Sequence, residues 1–199
     1  MITKLNYYYT IAIIIPTLNE EKFIARCLDS VIEQSYPFRD MDVMVVDGGS
    51  NDRTREIVEE YGRKYINIRF IHNPGRIQSI AFNIGVENSD APYIVRLDAH
   101  ALYNKDYIEK CIAGLQNDTQ IGNVGGRCKI LPFNDTLWAN TNAILNYSRF
   151  GIGGSAFRVG VKPDFVDSVP FGAFPRTVFE KVGGMREDLP RAEDNEYNS

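Results

Sequence analysis

Residues Ile11–Val31 read IAIIIPTLNEEKFIARCLDSV, and this stretch decides the fold. Ile11–Ile15 is a short run rich in β-branched residues, closed by Pro16, which reads as a strand buried on both faces. Asn19 stands where an N-cap is expected, and Glu20 and Glu21 suit the first turn of a helix. Beyond them Ile24, Cys27, Leu28, Val31 and Ile32 recur at helical spacing.

The same alternation repeats outward along the chain. Asp42–Val46 is a second strand ending in DGGSND, and Arg53–Tyr65 follows as a helix with Asp52 as its cap. Ile68–Ile71 is a third strand, Gly75 opens a helix to about Val86, and Tyr93–Leu97 is a fourth strand ending at Asp98. Asp106–Leu115 is helical again. Strand–helix alternation of this kind predicts an α/β fold with a largely parallel sheet. After Gln120 the pattern loosens: Val124–Leu131 reads as a strand, Thr136–Tyr147 as a helix and Gly151–Gly160 as a glycine-rich loop. VPFGAFPRTVFEKVGGM has two readings, an edge strand with a helix closed by Gly183, or an acceptor-site wall. No repeat or low-complexity linker interrupts residues 1–199, which are taken as a single domain.

Composition narrows the function classes. A net charge of −4 supplies no broad basic surface, which argues against a nucleic-acid partner. Cys27, Cys111 and Cys128 have neither metal-finger spacing nor an even count for disulfides, so a reducing, cytoplasmic setting is expected. No apolar run reaches the roughly 18 residues of a membrane span, and the opening segment lacks a signal-peptide pattern. The chain stops at RAEDNEYNS with no turn or cap, and a C-terminal truncation is expected there.

Ligands of open parallel sheets bind outside the carboxyl ends of the strands. PTLNE, DGGSND and DAH all sit at such ends. In DGGSND the glycines expose backbone amides while Asp47 and Asp52 can accept hydrogen bonds from a base or sugar; a plain strand-to-helix turn explains the stretch equally well. Asp98 and His100, two residues apart, can reach one cation, and a carboxylate with an imidazole suits Mn²⁺ better than Mg²⁺; alone, the pair also reads as a turn residue and a surface histidine. Glu193, Asp194 and Glu196 offer either a general base or a solvated acidic tail. Arg76 and Gln78 open the third helix, where an arginine can meet a phosphate or merely cover the surface. GxxxxGK[ST] is absent, and no GxGxxG follows the first strand, which removes the usual phosphate loop and weakens a dehydrogenase reading.

Taken in order, IAIIIPTLNEEKFIARCLDSV, VMVVDGGSNDRT, IQSIAFNIG, YIVRLDAHA, FGAFPRTVFEKVGGM and RAEDNE resemble the family 2 glycosyltransferases of GT-A fold, and among them bacterial exopolysaccharide enzymes of the succinoglycan type. The resemblance spans Ile11–Glu196. It implies that Pro16, Thr17, Asn19, Glu20, Asp47 and Asp52 contact or shape the nucleotide pocket, with Asp47 facing the base, usually uracil. Arg76 and Asn83 would lie near the donor phosphates or sugar, Asp98 and His100 match the DxD metal motif, and Asp194 matches the catalytic base of the ED motif. His100 departs from the aspartate common at that place. The implied cofactor is Mn²⁺ or Mg²⁺, and the implied partners are a UDP-sugar donor and a saccharide or lipid-linked acceptor, with membrane association through sequence beyond Ser199. A non-catalytic nucleotide-sugar-binding protein is the alternative, and a sugar-phosphate nucleotidyltransferase ranks third because PTLNE replaces its phosphate loop.

Overall fold

The computed structural model describes residues 9–128 and 171–188, together with positions 136, 137, 141, 165, 166, 169 and 197. Five strands and five α-helices lie among these residues. In chain order they are β1 (Ile11–Thr17), α1 (Ile24–Ile32), β2 (Met41–Asp47), α2 (Thr54–Lys64), β3 (Ile68–His72), α3 (Gln78–Glu87), β4 (Tyr93–Arg96), α4 (Tyr107–Asn117), β5 (Ala173–Pro175) and α5 (Arg176–Val182).

The sheet order is β3-β2-β1-β4-β5, and every pairing is parallel except that of β4 with β5. Both faces of β1 and β2 are buried along their whole length, which is why their sequences run apolar without alternation. The two faces divide by parity. Ile11, Ile13 and Ile15 pack with Cys27, Leu28 and Val31 of α1 and Ile108, Cys111 and Ile112 of α4. Ala12 and Ile14 pack with Ala81, Phe82 and Val86 of α3 and with Met185. Gly85 allows α3 its close approach to β1, because a Cβ there would lie 2.6 Å from Ile14 Cγ2.

Three local expectations are corrected. Asn19 does not cap α1, which begins at Ile24; the Glu20 carbonyl instead accepts the amides of Phe23 and Ile24, both at 2.9 Å. Asn19 adopts a left-handed backbone, φ 58°, and turns toward the neighbouring loop. The helix expected from Gly75 begins at Gln78, because residues 73–77 form a turn organised by Asn73. Of the strand expected over Val124–Leu131, the described residues hold a single antiparallel bridge, Val124 to Ala173. FGAFPRTVFEKVGG takes the strand-and-helix reading, with Gly183 at φ 87° ending α5. The helix expected at Thr136–Tyr147 and the loop at Gly151–Gly160 fall almost wholly outside the described residues, as do Glu193, Asp194 and Glu196.

The chain steps outward from β1 to β2 and β3, then crosses back to place β4 on the other side of β1. The carboxyl ends of β1 and β4 therefore flank a point where the direction of winding reverses, the place where open α/β sheets leave a crevice. No described helix is long and apolar enough to cross a membrane.

Candidate functional site

A cavity of about 290 Å³ opens at that point. Its walls come from the end of β1 and the loop after it (Pro16, Thr17, Glu20), from the turn before α3 and that helix's first residue (Asn73, Arg76, Gln78) and from the segment after β4 (Asp98, His100). That volume sits at the low end of small-molecule pockets, roughly 300–1,000 Å³.

The wall after β4 is held by bonds that begin in the sheet. The Leu97 amide donates to the Ile14 carbonyl at 2.9 Å, which extends the β1–β4 register to the edge of the DAH segment. The Asp98 amide donates to the Tyr103 hydroxyl at 2.7 Å, and that hydroxyl donates back to the Asp98 carbonyl at 3.3 Å. Burial raises the Tyr103 pKa well above the usual phenol range, so it stays protonated. The Cys27 thiol, 3.6 Å from the Asp98 carbonyl, is pushed up to about 12 by burial and by the charges of Asp98 and Glu20, so it is inert as a nucleophile near neutral pH.

Among the cavity's polar groups, Asp98 receives a buried guanidinium group of Arg96 at 3.4 Å, and the same nitrogen donates to Gln78 Oε1 at 3.0 Å. His100 Nδ1 lies 3.1 Å from Glu20 Oε1. The Thr17 hydroxyl oxygen is buried with no hydrogen-bond partner among the described residues, although its residue lines the cavity. Arg76 is exposed and left-handed, φ 65°, an unusual backbone for a residue with a side chain.

The second polar cluster behaves differently. Asp47 is 2% exposed, and its carboxylate accepts the amides of Gly49 at 2.9 Å and Ser50 at 2.8 Å and the hydroxyl of Ser50. Asp52 accepts the Thr54 amide at 2.9 Å and hydroxyl at 2.6 Å on one oxygen, and the Glu21 amide at 3.0 Å on the other. Burial opposes its charge, but these bonds outweigh that and hold its carboxyl below the usual carboxylate range. Asn19 Oδ1 accepts the Asn51 amide at 2.9 Å, and the Asn19 amide donates to Ser50 Oγ at 2.7 Å. The loops after β1 and β2 are thus laced to each other.

Of the residues singled out from the sequence, the cavity brings together Pro16, Thr17, Glu20, Arg76, Asp98 and His100. Asn19, Asp47 and Asp52 are not among its lining residues and lie in the lacing of the loops after β1 and β2. Asn83 sits elsewhere, exchanging hydrogen bonds with the Met185 backbone at 2.9 and 2.8 Å and so tying α3 to the segment after α5. Asn73 and Arg96 were not anticipated. Asn-Pro-Gly at 73–75 is a turn signal. Arg96 is a charge inside an otherwise apolar strand, 5% exposed in the fold.

Comparison with known proteins agrees with this architecture. The family model "Glycosyl transferase family 2" matches residues 12–183. A dolichyl N-acetyl-alpha-D-glucosaminyl phosphate 3-beta-D-2,3-diacetamido-2,3-dideoxy-beta-D-glucuronosyltransferase of Methanococcus voltae is 29% identical over 94% of this chain and 60% of its own length. The succinoglycan biosynthesis protein ExoA of Rhizobium meliloti is 31% identical over 94% of this chain and 56% of its own. The chain therefore spans less than two thirds of these relatives. Among solved structures, S. aureus TarS 1-349 in complex with UDP aligns over 95% of this chain and 54% of its own, with TM-score 0.68 and 20% identity. The mannosyltransferase PcManGT of Pyrobaculum calidifontis, in complex with GDP-Man and Mn²⁺, aligns over 96% of this chain and 51% of its own, with TM-score 0.68 and 23% identity. At such identities the likeness is one of fold, GT-A.

Proposed function

Because the chain belongs to glycosyl transferase family 2, we propose that it is the catalytic domain of an inverting transferase that moves a sugar from a UDP-sugar to a saccharide or lipid-linked acceptor in polysaccharide synthesis. The observation that carries this reading is the cavity between the ends of β1 and β4, which gathers Asp98, His100, Arg76 and Thr17.

The side chains fit a divalent cation by their chemistry. Asp98 supplies oxygen and His100 nitrogen to one cavity, a donor set suited to Mn²⁺ and less to Mg²⁺. No group of three such side chains that could hold a metal occurs among the described residues, and the donor's own oxygens and water would complete the shell. When bound, such a cation supplies Lewis-acid stabilisation of charge on a diphosphate leaving group. Arg76, at the entrance to α3, places a permanent charge beside the helix N-terminus, where an anion is favoured. A turn of the Thr17 side chain would bring its hydroxyl, which has no partner among the described residues, to a phosphate or ribose oxygen. Asp47 and Asp52 act by shaping the base-side loop. Asp194, outside the described residues, takes the acceptor proton as its oxygen attacks the anomeric carbon, a contribution of roughly 10²–10⁴-fold. The setting proposed is the cytoplasm, and a lipid-linked acceptor would put the reaction at the cytoplasmic face of a membrane.

Calorimetry with UDP tests this assignment. Mn²⁺ is expected to tighten UDP binding by about tenfold, equal to roughly 1.4 kcal/mol, and Asp98→Ala to remove that dependence. UDP affinity that ignores Mn²⁺ in the unaltered chain would take Asp98 and His100 out of the proposed role.

A further inference from the structure

The cavity contains a carboxylate whose placement serves another side chain. Glu20 Oε1 lies 3.1 Å from His100 Nδ1, with the Glu20 side chain 19% exposed and that of His100 56% exposed. An imidazole alone on a loop can rotate and can carry its proton on either nitrogen. A fixed acceptor at Nδ1 removes both freedoms, as carboxylates behind metal-bound histidines do elsewhere.

Glu20 is itself fixed. Its carbonyl accepts the Phe23 and Ile24 amides at the start of α1, each at 2.9 Å. Its amide donates to Thr54 Oγ1 at 2.8 Å, and that hydroxyl donates to Asp52 Oδ1 at 2.6 Å. An unbroken set of bonds therefore runs from Asp52 through Thr54 to the Glu20 backbone, whose side chain meets His100 across 80 residues of sequence.

We propose that Glu20 is a positioning residue for His100: its carboxylate accepts the Nδ1 hydrogen, fixes the imidazole as the Nδ1–H tautomer, and leaves the Nε2 lone pair as the donor to a divalent cation held with Asp98. This rests on the metal reading of Asp98 and His100 given above. It assigns the glutamate of the PTLNE segment to the imidazole rather than to the nucleotide. It also gives the loop after β2 a function at a cavity it does not line.

The test combines ring-nitrogen NMR with Mn²⁺ titration followed by electron paramagnetic resonance, in the presence of UDP. The chain has two histidines, His72 and His100, so the His100 ring signals can be assigned with a single His72→Gln variant. His100 is expected as the Nδ1–H tautomer in the unaltered chain. Glu20→Ala should abolish that preference and weaken Mn²⁺ binding by about 10–100-fold. Glu20→Gln, whose amide oxygen can still accept from Nδ1, should keep the tautomer and recover most of the affinity. An Nε2–H tautomer in the unaltered chain, or Mn²⁺ affinity unmoved in Glu20→Ala, overturns the proposal. Equal loss in Glu20→Gln and Glu20→Ala with the tautomer preserved in the former would make Glu20 a direct ligand, which overturns it too. If Asp98→Ala and His100→Ala also leave Mn²⁺ binding unchanged, the metal reading itself fails; if they weaken it and Glu20→Ala does not, the positioning role alone fails.

Discussion

The loops that follow β1 and β2 begin side by side, with Thr17 opposite Asp47 in the parallel register, yet they end in opposite conditions. After β2, Asp47, Ser50 and Asp52 find their partners within their own loop and the one beside it. At the end of β1 the buried Thr17 hydroxyl has no partner among the described residues, and just beyond it Glu20 reaches across to His100 on the far wall of a cavity. Equally polar segments at equivalent strand ends thus do different work. Where the hydrogen bonds go separates a loop that builds from a loop that binds.

The largest expected effect removes the keystone of the building loop. Asp47→Ala deletes the acceptor of three hydrogen bonds in a buried place. At about 1 kcal/mol net for each, the loss of stability is about 3 kcal/mol. Urea denaturation measures it. A change below about 1 kcal/mol would mean that the turn stands without its carboxylate, and the contrast between the loops would lose its basis.

A smaller effect is expected at Asp52, which satisfies the first turn of α2 and joins the two loops. Asp52→Ala should cost about 1–2 kcal/mol at neutral pH, the range of a lost helix cap. Its pH dependence has a definite sign. The folded carboxyl is depressed below the ordinary 3.8 by hydrogen bonds that overcome burial, so its charge contributes stability above that ordinary value. That contribution is lost as pH falls through the folded value. Denaturation of the unaltered chain and of Asp52→Asn should therefore differ by a constant amount above about pH 5 and converge in more acid solution. A gap that widens on acidification would reverse the assignment.

The contrast also explains how much could be read beforehand. β1, β2 and α1 were legible because a core buried on both faces needs uninterrupted apolar strands and an apolar stripe at Ile24, Cys27, Leu28 and Val31, and composition alone encodes both. Asp52 is not the cap residue expected, since Arg53 stands at that position, but its bond to the first amide of α2 was legible because its partner is two residues away. Asn19 was not, since the same residue type that caps a helix can also turn left-handed and bond to a loop 32 residues distant. Asn83 shows the limit more plainly: its partner at Met185 is 102 residues away, and no local pattern records that pairing. Likewise the DAH segment announces a candidate ligand pair, but neither the Arg96 beside Asp98 nor the Glu20 beside His100 follows from spacing. Both depend on the crossing that returns the chain from β3 to β4.

The smallest expected change of stability sharpens the comparison most, because it should run in the favourable direction. Thr17 is 6% exposed in a strand otherwise made of apolar residues, and its hydroxyl oxygen has no partner among the described residues. A buried unsatisfied hydroxyl is a cost to folding, and valine matches threonine in shape while suiting a strand equally well. Thr17→Val should therefore leave stability unchanged or raise it by up to about 1 kcal/mol. UDP affinity should move the other way, falling by about three- to tenfold for one lost hydrogen bond. Thermal unfolding without ligand and calorimetry with UDP report the two quantities separately. A destabilised Thr17→Val would show that the hydroxyl serves the fold, and Thr17 would then belong with Asp47. Unchanged UDP affinity would show instead that the ligand never meets this oxygen, so that burial without a partner at the cavity wall is a defect of packing rather than the mark of a binding group.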